Sequence, residues 1–360
     1  MKYFNTIADM EKFYYGDAYD LFKDAEIDVA ETGVRNILFG RKLWEQVVVA
    51  ANTFGVLAKK PFDKGGYRAI TAAAATTTAG VAENAAIPAT LKPTFAEISL
   101  SLKELASSFE MSAKESAVEG KDDTVYWADI VEYMGKEYQN RLNRDLLADV
   151  EDGAAGNALE SIDRVCSSAA EEAAVAGLAD GEADIYSLDR TSASWTDAYV
   201  SHNSATARYL SLSQIDTVLA NVRPYWDDPS SVTNKVFITG HDTLVRWSQL
   251  MAAQQMYQIQ KVQFTVNGIK TVGTNETGLE VASYKGIPII ADNNVTQDTL
   301  SRIYLIDLDH VFISVAKPIQ YMESEDYQAL NKFTKEGVFY MVGELVANKF
   351  KGCGKVRDLK

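Results

Sequence analysis

Hydrophobic positions along the chain fall into a few strongly periodic stretches separated by long segments with little pattern. Between residues 122 and 151, Ile130, Met134, Tyr138, Leu142 and Leu146 recur four apart, and Val131, Leu147 and Val150 widen the stripe. That spacing predicts an amphipathic helix, with Asp122 and Asp123 at its positive end and Gly153 as its stop. A helix of this span is about 40 Å long at roughly 1.5 Å per residue. Residues 211–222 predict a second helix, opened by a capping box from Ser211 to Gln214 and closed before Pro224. Residues 235–239 read as a buried strand, after which Asp242 is expected to cap a helix from Thr243 to about Tyr257. Further strands are expected over 280–290, with residues 285–288 as the turn, over 303–306 and 311–315, and over 338–348.

The first half reads differently. Residues 1–58 mix helix-like and extended stretches, and the run 41–51 fits a short helix or a buried strand. Nothing there looks self-sufficient, so the segment is expected to lie as an arm against another surface. Residues 61–104 open with Pro61, Gly65 and Gly66, pass through an Ala/Thr tract, and return through Phe95-Ala96-Glu97-Ile98-Ser99-Leu100-Ser101-Leu102. The alternation in the return limb predicts a half-buried strand, and the whole reads as a long hairpin with too few apolar residues for a core of its own. An isolated hairpin is marginal in water, so it must rest on something. A flexible Ala/Thr/Gly linker is the alternative for this tract. Residues 153–208, rich in Ala, Ser, Asp and Gly, carry no clear periodicity. Alternating helices and strands in the second half point to an α+β unit around a sheet.

Composition narrows the function classes. The chain has 360 residues, 47% of them hydrophobic and 24% charged, enough for two or three structural units. With 50 acidic against 35 basic residues, a net charge of −15 gives no general attraction for phosphate backbones. The amino-terminal residues lack the apolar core of a secretory signal, and the stretch 69–82 is too weakly apolar to span a membrane. A soluble protein made in a cytosol is expected. Cys166 and Cys353, far apart and outside any CxxC pattern, are expected to be reduced thiols.

Candidate chemistry is sparse. His202, His241 and His310 have no metal-ligand spacing. His241-Asp242 sits between a strand and a helix, where the expected role is a turn and an N-cap. Gly352-Cys353-Gly354-Lys355 lacks the strand–loop–helix context of a phosphate loop and reads as a Gly-rich turn at the chain end. The acids Asp227-Asp228 and Glu323, Glu325 and Asp326 read as solvated loops, with weak potential for a divalent cation. The five tryptophans are spread along the chain as packing or interface anchors. No catalytic, cofactor-binding or metal-binding residue is assigned, and no enzyme activity is expected.

The order of the parts resembles the major capsid proteins of tailed phages, the HK97-like family. Gly80-Val81-Ala82-Glu83-Asn84-Ala85-Ala86-Ile87-Pro88, followed by Pro93-Thr94-Phe95, resembles that family's return from an extended loop. Residues 102–112 resemble the strand that leads to its spine helix, matched here by 122–151. Arg208-Tyr209-Leu210-Ser211-Leu212-Ser213-Gln214-Ile215 resembles the first helix of its axial domain, and Tyr284-Lys285-Gly286-Ile287-Pro288-Ile289-Ile290 its "G-x-P-I" strand. The resemblance implies an α+β HK97-like fold with an N-terminal arm over 1–58, an extended loop over 59–104, and a peripheral domain over 105–175. An axial domain over 176–317 and peripheral return strands over 318–360 complete it. Some members crosslink through a loop lysine, but the stretch 69–91 contains none; Lys64 and Lys92 only flank it, so crosslinking is not carried over. No long charged amino-terminal extension of the built-in scaffold kind is present either.

The implied function is a major capsid protein that assembles into hexamers and pentamers of an icosahedral head around double-stranded DNA. Its partners would be copies of itself, with portal, scaffolding and decoration proteins. DNA would be enclosed without sequence-specific binding, no membrane would be involved, and the protein would reside in the virion after assembly in the host cytoplasm. The alternative is an encapsulin-type nanocompartment shell, which shares the fold. From another class, a soluble two-domain α/β enzyme would assemble a site from His241, Asp242 and loop acids.

Overall fold

The computed structural model of the chain describes residues 52–72, 93–112, 126–150, 157–175, 178, 181–253, 264–266, 269–271, 282–323 and 334–360. Predictions for residues 1–51, the Ala/Thr tract, and the acids Glu325 and Asp326 lie outside the described residues. So do the expected helix stop at Gly153 and the far end of the helix expected to reach Tyr257.

Two sheets organise the molecule. Elements, in chain order, are α1 (Asn52–Val56), β1 (Lys59–Pro61), β2 (Gly66–Ala72), β3 (Thr94–Ser99), β4 (Lys103–Ser112), α2 (Tyr126–Leu146), α3 (Ile162–Val165), α4 (Ala169–Ala174) and β5 (Tyr199–Ser201). There follow α5 (Leu212–Val222), β6 (Lys235–Thr239), α6 (His241–Ala253), β7 (Phe264–Val266), β8 (Ile269–Thr271) and β9 (Ala282–Tyr284). The described chain closes with β10 (Ile287–Ala291), β11 (Ile303–Asp307), β12 (Val311–Glu323), β13 (Thr334–Ala347) and β14 (Gly354–Val356). A four-stranded sheet runs β1-β12-β13-β4, and a six-stranded sheet runs β5-β14-β11-β6-β10-β9. Among the described residues, strands β2 and β3 pair only with each other, as do β7 and β8.

The six-stranded sheet is buried on both faces, which its near-continuous apolar strands require. Side-chain alternation divides them. Val236, Ile238, Tyr304, Ile306 and Ile290 face a core shared with α2 and the four-stranded sheet. Phe237, Ile303, Leu305, Ile287 and Ile289 face a second core under α5 and α6. Capping decides where α5 starts: Gln214 reaches back to accept the Ser211 N–H at 3.2 Å.

Helix α2 lies across β13 and β4. Tyr138 stacks on Phe339 with centroids 5.9 Å apart and donates its hydroxyl to the Leu105 carbonyl at 2.8 Å. Its 21 residues give about 32 Å at roughly 1.5 Å per residue. The helix ends at Leu146, before the expected 151, because the chain there turns to present Asp149 to Arg302 and the Val150 N–H to Asp163. Asp292, at the end of β10, ties α1 to α2. It accepts from the Thr53 N–H and hydroxyl at 2.9 and 2.8 Å and from the Asn143 amide at 3.0 and 2.9 Å.

Three expectations are corrected. Helix α6 begins at His241, and Asp242 does not cap it. Its carboxylate accepts from the Ser301 N–H at 2.8 Å and the Ser301 hydroxyl at 2.6 Å, a partner distant in sequence. The 280–290 turn is Lys285-Gly286 alone, both with positive φ of 49° and 83°, as a two-residue hairpin turn requires. Pro288 lies inside β10, opposite Ser283. The carboxy-terminal Gly-Cys-Gly-Lys is not a surface turn: β14 is a buried strand between β5 and β11. Gly354 is needed there because a Cβ would sit 2.7 Å from Val218 and 2.9 Å from Val222, both on α5.

The sheets also cut across the expected segment boundaries. Strand β12 runs unbroken through the expected division at 317/318, because it pairs with β13 along most of its length. Residues 59–61, expected in the extended loop, form the edge of the four-stranded sheet beside β12. Residues 354–356, expected among the peripheral return strands, join the six-stranded sheet.

Candidate assembly surface

The β2–β3 hairpin has two chemically different faces. Directly opposed residues in an antiparallel pair share a face, and successive residues alternate. Tyr67 opposes Ile98, and Ala69 opposes Ala96, on the face turned to the body. Ile98 is buried, and the Tyr67 hydroxyl donates to the Ala347 carbonyl at the end of β13. Arg68 opposes Glu97, and Ile70 opposes Phe95, on the other face. Ile70 is 65% exposed and Phe95 61% exposed. A large apolar pair therefore stands in water beside an ion pair of 2.8 Å. Scattered exposed hydrophobics are ordinary; here two large ones are directly opposed across a strand pair.

Other large hydrophobics are exposed as well. Tyr321 and Met322, on opposite faces of β12, are exposed toward its far end. Tyr209 and Val245, on the α5–α6 side, are exposed around an open hollow floored by Leu300.

A buried charge network fixes the six-stranded sheet to the segment that carries Asp149, Asp163 and Glu171. Arg302, at the start of β11, reaches Asp149 at 2.8 Å, Asp163 at 2.9 Å and Asp298 at 2.8 Å. Lys355, on β14, reaches Asp163 at 3.0 Å and Glu171 at 2.7 Å, and Arg357 reaches Glu171 at 2.6 Å. Burial works against the Asp163 charge, but Lys355 and Arg302 outweigh it and hold the carboxyl well below its ordinary range. This network gives order to residues 157–175, whose sequence has no periodicity.

A second buried site is pH-sensitive. Glu344 on β13 accepts from the Glu160 N–H at 2.9 Å and the Leu345 N–H at 2.8 Å. Burial, with the Glu160 carboxylate adding, pushes Glu344 up to about 8 despite these two bonds and Lys103. Glu160 is itself raised by burial, against the pull of Arg164 and Lys103. Because the folded value lies above the unfolded one, the contribution of Glu344 is complete below about pH 4 and is lost as pH rises through 8. Glu344→Gln keeps the neutral form at every pH. Thermal denaturation is expected to find it near the parent at about pH 4 and increasingly more stable as pH rises, by on the order of 3–5 kcal/mol at about pH 9. Equal curves at the higher pH would contradict this.

Of the described residues singled out for chemistry, the structure brings together only His310 and Asp227, in an exposed ion pair. His310 Nε2 lies 2.9 Å from Asp227, which also meets Lys349 at 2.8 Å. The His202 ring accepts from the Ser204 N–H at 3.4 Å. Asp242 is engaged by Ser301, and His241 beside it is exposed. Asp228 binds Ser230, and Glu323 pairs with Lys335. Among the described residues no His/Cys/Asp/Glu group is arranged to hold a metal ion, and no helix is long and apolar enough to cross a membrane.

Comparison with known proteins gives a consistent answer at the level of fold. No protein-family model matches the chain, and no curated protein sequence matches it. Solved particle shells do. The subunit in the cyanophage A-1(L) capsid asymmetric unit superposes with a TM-score of 0.64 at 13% identity, over 89% of this chain and 96% of that one. The capsid of a native GTA particle gives 0.58 at 12%, over 92% and 98%. The SrpI encapsulin of Synechococcus elongatus PCC 7942 gives 0.53 at 11%, over 93% and 96%. The chain thus has the mixed α+β fold common to these capsid and encapsulin proteins, the HK97-like architecture that its sequence resembles.

Proposed function

We propose that the chain is the major capsid protein of a tailed virus, a tile that assembles with copies of itself into hexamers and pentamers of an icosahedral head. The observation that carries this reading is the β2–β3 pair whose outward face presents Ile70 and Phe95 to water, in a fold shared with particle shells. A hairpin with so little core gains stability by laying that face on a neighbouring subunit.

In this reading α2 is the spine helix. With the four-stranded sheet it forms the peripheral domain, and the six-stranded sheet with α5 and α6 forms the axial domain. Residues 1–58 serve as the amino-terminal arm. The subunit is not an enzyme and uses no cofactor. Portal, scaffolding and decoration proteins are its further partners, and the virion is its place. The net charge of −15 suits a container whose subunits must not adhere to packaged DNA.

The encapsulin-type shell is the second reading, favoured by the likeness to the SrpI encapsulin. Sedimentation velocity of the purified full-length chain tests shell formation: megadalton particles are expected, and a stable small oligomer would overturn it. Nuclease-protected DNA inside particles recovered from their natural source supports the virus; a protein cargo without DNA supports the nanocompartment.

A further inference from the structure

The chain's two cysteines, Cys166 and Cys353, are fully buried, and both are free thiols. Cys166 closes α3, and Cys353 leads from the turn over Phe350–Gly352 into β14. Residues 198 and 199 zip these two segments together. The Ala198 N–H donates to the Ser167 carbonyl at 3.0 Å, and the Tyr199 N–H to the Cys353 carbonyl at 3.4 Å. Lys355 shares a strand face with Cys353, and its ammonium reaches Ser167 Oγ at 2.9 Å and Asp163 at 3.0 Å, on either side of Cys166. Both side chains belong to one buried core cluster, and the Cys353 thiol acts on that of Cys166. Neither thiol has a role in the shell reading, and the chemistry open to the pair does not depend on that reading.

We propose that Cys166 and Cys353 are a modification site: an intramolecular disulfide that fastens the carboxy-terminal strand to α3. The oxidant is a small-molecule disulfide. One cysteine thiolate attacks a sulfur of the oxidant, forming a mixed disulfide and releasing one small thiol. The second cysteine then attacks the protein sulfur of that mixed disulfide and expels the other half as a second small thiol. Two protein thiols become one S–S bond, and the two electrons and two protons end on the reagent. The bond encloses every element from α4 to β13 in one long loop, so it restricts the unfolded chain strongly. The hydrogen bond with Cys353 and burial push the Cys166 thiol well above its ordinary value. Exchange in the closed molecule is therefore slow, and the bond forms when the carboxy-terminal strand opens or before it docks.

The test treats the native full-length chain with oxidised glutathione near the onset of its thermal unfolding, then alkylates in denaturant and maps the digest without reduction. The expected result is a peptide pair joined through Cys166 and Cys353 and an intact mass lower by two hydrogens. The unfolding midpoint should rise by about 5 °C and fall back on reduction. Repeating the reaction during refolding removes burial as an obstacle. Free thiols or glutathione adducts at both positions in both arms, or disulfides only between chains, would overturn the proposal. So would a cross-link that leaves the midpoint unmoved.

Discussion

Replacing Ile70 and Phe95 together by aspartate is expected to abolish particle formation while leaving the subunit folded. Both side chains are mostly in water in the isolated chain, so the change removes little from its own stability. Burying the two against a neighbour contributes roughly 1.5–3 kcal/mol each, and the introduced carboxylates add a desolvation penalty on top. A contact weakened by roughly 3–6 kcal/mol loses about two to four orders of magnitude in its association constant. Circular dichroism and the melting midpoint of the double variant should match the parent, while sedimentation finds only small species. Arg68→Ala is the control. Its exposed pair with Glu97 is worth about 0–1 kcal/mol, so particles should persist. Parent-like shells from the Ile70→Asp/Phe95→Asp variant would contradict the role given to the hairpin.

Arg302→Met is expected to have the largest effect on folding itself. The guanidinium is almost fully buried and is shared by Asp149, Asp163 and Asp298. Methionine fills similar space but leaves three carboxylates without their common cation, and Asp163 keeps Lys355 as its ion-pair partner beside the Val150 N–H. Removing one member of a buried charge cluster costs about 3–5 kcal/mol. The pH dependence has a definite sign. Asp163 is held below its unfolded value, so its contribution is present above about pH 4 and is lost as pH falls through the folded value. Without Arg302 that folded value rises, and acid unfolding should begin at a higher pH than in the parent. Urea titration at neutral pH and an acid titration read the two effects. A loss under about 1 kcal/mol, with an unmoved acid midpoint, would show that the cluster is not what fixes β11 to β14 and α3.

What could be read from the sequence was local. Helix α5 is legible because its cap is two residues that touch each other, Ser211 and Gln214. The stripe on α2 and the apolar runs of β6 and β11 are legible because a helix or a strand buried in a core imposes its own period. The hairpin limbs are legible from the alternation around Phe95. Which of its faces looks outward is not, since only the anchoring of Tyr67 on Ala347 and the burial of Ile98 decide that.

The rest depends on partners far apart in the chain. Asp242 makes a good cap in sequence, yet Ser301, 59 positions away, claims its carboxylate. Asp163, Glu171, Arg302 and Lys355 look like ordinary surface charges in a polar stretch until the fold assembles them. Glu344 sits in the otherwise uncharged run over residues 337–347 of β13, and that break in pattern is the one signal that marks a buried carboxylate without its neighbours in view. Gly354 looks like turn punctuation, and only the approach of α5 explains it.

A three-dimensional reconstruction of the particle formed by the full-length chain tests the shell most directly. Ile70 and Phe95 should be covered by side chains of a different copy at every position in the lattice. Finding that face bathed in solvent, or folded back on its own subunit, would contradict the shell built on it.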